Sequence, residues 1–336
     1  TISSDETWDA QHVHIVDADV YIENNATVTI EAGAVVKVNQ HCFIHVGYNS
    51  PGGLVAVGTA SKPITFTANS PAPVAGFWGA IYFHENAFNT CALEYCNIEY
   101  AGYDSGWGEG DGAVLIEGSG STGPAIKIAN CTIRNIGAQG SGAYGILLGW
   151  GGSFASGSSG NTITACDGYP IRIDAKFTHT LCAGTYTGNG VDRILVYTEG
   201  MGGYNQVLTS CTWVNPGVPY EIYRTLKVEG PSNPVLTLSA GTTLLFRRDG
   251  EMLVGWSDYG GLNATGTPTK PITFSSASAS PSAGDWIGIQ FWDRALNSTF
   301  DYCVIEYGGA DSGNIGFDGD SNHDDDGNII ILEGAF

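Results

Sequence analysis

Apolar and polar residues alternate along this chain in short bursts. The runs Val28–Glu31 (VTIE), Val35–Val38 (VVKV), Phe43–Val46 (FIHV), Leu54–Val57 (LVAV), Ile64–Thr67 (ITFT), Ala80–Phe83 (AIYF), Leu93–Tyr95 (LEY) and Asn97–Tyr100 (NIEY) mostly place every second side chain on one apolar face, and they stop at Gly, Asn, Asp or Pro. Alternation over so few residues predicts short β-strands separated by tight turns. No stretch keeps the period of an amphipathic helix. With 48 Gly and 13 Pro in 336 residues, the chain turns too often for one to form.

The strand pattern occurs twice. Asn25–Phe66 aligns without a gap on Asn233–Phe274, and the match continues through Trp78 against Trp286 and through Tyr95–Tyr100 against Tyr302–Tyr307. Units of strand size that recur inside a duplicated block predict a solenoid, in which each unit buries its face by stacking on the next. The segments Tyr95-Cys96-Asn97-Ile98, Asn130-Cys131-Thr132-Ile133, Ala165-Cys166-Asp167, Ser210-Cys211-Thr212-Trp213 and Tyr302-Cys303-Val304-Ile305 look alike. They read as one corner revisited by successive coils, which a β-sandwich has no reason to repeat. The expected fold is therefore all-β, a right-handed parallel β-helix (β-solenoid) with internal duplication, its hand taken from the general preference of parallel crossovers. One domain over 1–336 is expected, with a first copy at about 15–118, intervening coils at 119–220 and a second copy at about 221–334.

Ile2–Trp8, Asp19–Ile22, Ala26–Gly33, Val36–Val38, the Gly58-Thr59 and Lys62–Phe66 pair, and Asn97–Tyr100 together resemble the parallel β-helix repeats of secreted bacterial and archaeal surface proteins. The resemblance implies a scaffold shared by adhesins, carbohydrate-active enzymes and structural fibres, so it leaves function open.

Charge narrows the partners. Lys and Arg total 13 against 34 Asp and Glu, a formal charge of −21. Such a surface disfavours nucleic acid and anionic membranes and attracts divalent cations. Nothing reads as a transmembrane span or a signal peptide, so an extracellular or cell-surface chain without membrane insertion, its leader already removed, is expected. Eight cysteines invite disulfides. Five of them share one place in their units and read instead as buried thiols, with Cys182 the strongest candidate for a bridge.

Three candidate sites follow. Asp318, Asp320, Asn322, Asp324 and Asp326 fall at alternate positions in a stretch that the first copy lacks. Oxygen ligands at that spacing suit Ca²⁺, although the central Gly and terminal Glu of a helical calcium hand are missing. Trp107, Trp150 and Tyr103, with Tyr144, Tyr204 and Trp256, lie in Gly-rich contexts where a core role is unnatural, and are candidate carbohydrate contacts. The strand Ile329, Ile330, Ile331, Leu332 matches Ala113–Glu117 and is a candidate assembly edge, paired with further coils of a longer chain or head to tail with a second copy.

Catalysis has weaker support. Arg172, Asp174 and Lys176 with His179 offer a base and an anion clamp, but alternation sets the first three on one outward face, where they read as solvated residues. His41, His45, His84 and His323 are scattered, and His12-Val-His14 has no third ligand in sight. The reading is thus an extracellular structural or adhesive solenoid stabilised by calcium, with a polysaccharide lyase, glycoside hydrolase or carbohydrate-binding surface module as the alternative.

Overall fold

A computed structural model describes residues 1–103, 112–120, 122–137, 143–199, 205–310 and 327–332. Among them the only helix is the six-residue 3₁₀ segment Ala175–Thr180. The contacts divide the chain into two compact units, Thr1–Ile173 with Thr180–Ile194, and Asp174–His179 with Leu195–Phe336.

In the first unit every third strand returns to the same sheet, and every named strand pair is parallel. The first sheet stacks Glu6–Trp8, Thr27–Ile30, Gly53–Val57, Ala92–Glu94, Ala125–Ala129 and Ser153–Phe154. The second runs from Val13–Val16 through Val35–Val38, Ile64–Ala68, Cys96–Glu99, Thr132–Ile136 and Asn161–Cys166 to Gly184–Thr185. The third stacks Val20–Ile22, Ile44–Val46, Ile81–Phe83, Gly112–Glu117, Tyr144–Gly149 and Ile171–Asp174. Only a coiled chain gives this order, because parallel neighbours need a crossover rather than a hairpin. The second unit repeats the scheme. Tyr220–Ile222, Thr243–Phe246, Ile272–Ser276 and Cys303–Ile305 form one face, and Gln206–Val207, Thr225–Val228, Glu251–Val254, Gly288–Phe291 and Ile329–Ile331 form the next. Cys211–Trp213, Val235–Leu238, Gly261–Thr265 and Thr299–Asp301 form the third.

Alternation decides what enters the interior. Ile22, Ile44, Val46, Ile81, Phe83, Val114 and Ile116 are fully buried, while their neighbours Tyr21, His45 and Tyr82 point out of the coil. Burying an aliphatic or Phe side chain in this way contributes about 1.5–3 kcal/mol each. Trp78 and Trp286 are buried at equivalent places, and their indole N–H groups donate to the carbonyls of Glu99 and Glu306 at 2.8 and 2.9 Å.

The corners correct the cysteine reading. Tyr95, Asn130 and Tyr302 take left-handed φ of 49°, 54° and 48° just before Cys96 and Cys303, which open their strands, and Cys131, which immediately precedes the strand Thr132–Ile136. Ala165 does the same before Cys166, but Cys166 closes its strand and pairs with Ile136. Two different corners therefore share one sequence look. Register sets Cys96 and Cys303 at one equivalent place, opposite Ile64 and Ile272, with Cys131 beside Cys96, whereas Cys211 faces Leu236 in another sheet, so the five do not form one ladder. All eight cysteines are free, and Cys182 Sγ lies 3.6 Å from the Tyr186 hydroxyl rather than in a bridge.

Two further expectations change. Arg172 and Asp174 do alternate outward, yet they are only 1% and 3% exposed, and Lys176 and His179 belong to the 3₁₀ segment rather than the strand. Period alone tells in from out for a strand; it does not tell whether the outside is covered. Tyr144, expected as a carbohydrate contact without a core role, opens the strand Tyr144–Gly149 and packs on Ala80, Leu115 and Leu147.

Candidate carbohydrate-binding face

The third sheet of the first unit carries an aromatic row on its outer side. Register places Tyr21 opposite His45 and His45 opposite Tyr82, so three outward ring positions stack on consecutive coils. The Tyr21 and His45 rings lie 4.6 Å apart and nearly parallel. Two residues along the chain, His84 stacks on Tyr82 at 3.7 Å. The corner residue Tyr48 closes the group, 4.9 Å from His84 in an edge arrangement, and is 49% exposed.

Two features fix this corner. Gly47 takes φ +72°, and a Cβ there would lie 2.3 Å from the Ala87 backbone nitrogen, so only glycine allows the turn. Glu23, 7% exposed, then accepts from Asn49 N at 2.8 Å and Asn49 Nδ2 at 3.2 Å, which ties the Tyr48 loop to the coil beneath.

His45 Nδ1 and His84 Nε2 are 2.9 Å apart, so one ring donates and the other accepts. Burial lowers the affinity of both for a second proton. His84 is pushed down to about 3 by desolvation and then by the neighbouring His45. His45 is lowered by desolvation, which the carboxylates of Asp19 and Glu23 partly offset. The pair is therefore neutral near pH 7 and presents hydrogen-bonding groups without charge. Beyond it, the Tyr82 hydroxyl donates to Glu117. Burial first, and the Glu117 carboxylate second, raise the pKa of that phenol, so it stays a donor. A Cβ on Gly149 would lie 3.3 Å from Glu117 Oε1 and 3.8 Å from Arg172 Nη1, so the missing side chain leaves room between a carboxylate and a guanidinium.

Flat rings at coil spacing, flanked by neutral donors and acceptors, suit pyranose sugars, whose C–H faces stack while their hydroxyls seek hydrogen bonds. Among the described residues no three His, Cys, Asp or Glu side chains converge as a metal set. Asp318, Asp320, Asn322, Asp324 and Asp326 lie outside the described residues, as does Trp107. Tyr103 stacks on His41 at 3.7 Å and its N–H donates to the Trp78 carbonyl. Trp150 occupies a left-handed corner after Gly149 and is 39% exposed. These two stand at different corners, outside the Tyr21–His45–Tyr82 row. The sequence reading missed that row because its members are up to 61 positions apart; the available signal was that each is the polar or aromatic member of an alternating triplet, VYI, IHV or IYF.

Residues 1–106 match the model of the pectate-lyase-like beta helix domain family. That segment contains Tyr21, His45, Tyr48, Tyr82 and His84, and its match agrees with the parallel sheets described above. The chain is a parallel β-helix repeat protein. Comparison of this β-helix with curated proteins and with solved structures gave no match. No helix among its described residues is long and apolar enough to cross a membrane.

Proposed function

We propose that this β-helix is an extracellular polysaccharide-binding solenoid whose first unit holds the glycan on the outward row Tyr21, His45 and Tyr82, rimmed by Tyr48 and His84. The observation that carries the reading is this stack of half-buried rings on consecutive coils, ending in an exposed tyrosine. Rings repeating at the strand spacing match the repeating character of a polymer better than that of a single small molecule. The likeness of residues 1–106 to a pectate-lyase-like domain supports a carbohydrate ligand. Titration calorimetry against a panel of neutral and acidic polysaccharides tests it. Tyr48→Ala, at an exposed position, should weaken binding at least tenfold without changing the melting temperature. If no polysaccharide binds the full chain, the reading falls. Release of unsaturated uronates from an acidic polysaccharide would instead favour a lyase.

The structural or adhesive role belongs to the same reading, because a surface solenoid that holds glycan is a means of attachment. Calcium at Asp318, Asp320, Asn322, Asp324 and Asp326 is proposed on their spacing. The strand Ile329–Ile331 pairs Gly288–Phe291 on one side, with Ile329 40% and Ile331 55% exposed. We propose that its other side takes up another strand, from further coils or from a second copy.

A further inference from the structure

The duplication provides a comparison inside one chain. The carbonyls of Ile22 and Val228 accept from Gly47 N and Gly255 N at 3.0 and 3.2 Å, so Val20–Ile22 and Thr225–Val228 are equivalent strands. Glu23 and Glu229 follow them. Like Glu23, Glu229 is buried and anchors the next loop, accepting from Ser257 N at 2.7 Å. Gly255 repeats Gly47, with φ +71° and a Cβ clash of 2.3 Å against Ala295 N. At the tip, Trp256 stands where Tyr48 does.

Between the copies the inward residues stay apolar. Met252, Val254, Ile289 and Phe291 replace Ile44, Val46, Ile81 and Phe83, all buried. The outward residues all change. Lys227 stands in place of Tyr21, Glu251 of Phe43, Leu253 of His45, Gln290 of Tyr82 and Trp292 of His84. The coil is kept while its outer face is rewritten, with Leu253 and Gln290 now covered at 6% and 1% exposure.

The new residues still form a group. Trp256 and Trp292 meet edge to face, with centroids 6.4 Å apart at 74°, as Tyr48 and His84 do at 63°. Lys227 Nζ sits 3.8 Å from the Trp256 ring centre, and the indole remains 40% exposed. Glu251 accepts from Thr225 Oγ1 at 2.9 Å and Gln290 Nε2 at 3.0 Å, and burial raises its pKa against the lowering effects of Thr225 and Lys227.

We propose that the second unit carries a second glycan site, on Trp256, Trp292, Lys227 and Glu251, which takes a neutral hexopyranosyl residue. This extends the glycan-binding reading of the first unit and rests on it through the duplication. Adjacent sugar hydroxyls need acceptors and donors within reach of one another. Lys227, whose Nζ also lies 3.9 Å from the Glu229 carboxylate, supplies the donor under the exposed indole. Glu251, further back on the next coil and within electrostatic reach of Lys227, supplies acceptor oxygens. A uronate fits less well. On the segments 225–229, 251–258 and 288–294 that carry the group, the carboxylates Glu229, Glu251, Asp258 and Asp293 outnumber the cations Lys227 and Arg294.

The test uses the full chain carrying Tyr48→Ala, titrated with cellohexaose, mannohexaose and hexagalacturonate while tryptophan emission is followed. One neutral hexasaccharide should still bind and shift the emission, and adding Trp256→Ala should weaken it at least tenfold. Glu251→Gln, which keeps the side-chain shape, should weaken it at least fivefold and guards against a folding defect in the tryptophan variant. Unchanged affinity in both variants, or binding confined to hexagalacturonate, overturns the second site. Loss of all binding on Tyr48→Ala alone also overturns it but leaves the first-unit reading standing, whereas an unaltered chain that binds no saccharide defeats both.

Discussion

The two histidines at the centre of the aromatic face tie stability to pH. His84 titrates from 6.5 unfolded to about 3 folded because burial penalises its charged form, and His45 is shifted in the same direction. Between those values the unfolded chain binds more protons than the folded one. Their contribution is therefore present in full above about 6.5 and is lost as pH falls through that window. Melting temperatures measured from pH 7 to pH 4 should fall less steeply in His84→Gln than in the natural chain; parallel curves would show that the pair does not titrate with folding. Cys91 offers a second test at this scale. Its sulfur accepts from Leu54 N at 3.3 Å, and at the equivalent place Ser298 Oγ accepts from Leu262 N at 3.0 Å. Cys91→Ser keeps the acceptor and should cost under about 1 kcal/mol, within the range of mild substitutions. Cys91→Val leaves a buried N–H unpaired and should cost about 1–3 kcal/mol in urea unfolding.

Strands in this protein are too short to be stable alone, so each depends on its corners and its neighbours. The left-handed residues Tyr95, Asn130 and Tyr302 turn the chain between sheets, and the buried carboxylates Glu23 and Glu229 fix the loops that carry the exposed rings. The calcium proposal belongs at this scale. On that proposal, Asp318, Asp320, Asp324 and Asp326 gathered on the cation would repel one another once it is removed. Chelation should lower the melting temperature and open the 313–328 stretch to proteases, by linkage to an ion that binds the folded chain. Equal melting curves with Ca²⁺ and with chelator would reject a stabilising site.

At the scale of the molecule, Ile329–Ile331 is the last strand of its sheet among the described residues, with the apolar side chains of Ile329 and Ile331 exposed. A second copy stacking there head to tail would satisfy the backbone groups and, since the contact is heterologous, would propagate rather than close. Ile330→Pro removes a ladder donor and should abolish concentration-dependent growth seen by light scattering or negative-stain imaging, while the upstream coils keep their far-UV signature. A chain that stays monomeric at high concentration before the substitution would sink the self-association branch of the proposal.

Alternation and repetition in the sequence were enough for the parallel β-helix, because inward positions such as Ile22, Ile44 and Phe83 must be apolar whatever lies outside the coil. The same rule said which way His45 and Arg172 point, but not what each would meet there. His45 meets His84, Tyr21 and Tyr82 in a solvent-reachable face, while Arg172 is buried at 1% exposure, and nothing local in the two triplets separates these fates. Coil length decides which residues become neighbours, and the loops between strands decide it. Registers such as Tyr21 with His45 and Cys166 with Ile136 were therefore set by the three-dimensional stacking of coils, whose spacing varies along the chain in a way that strand pattern does not record.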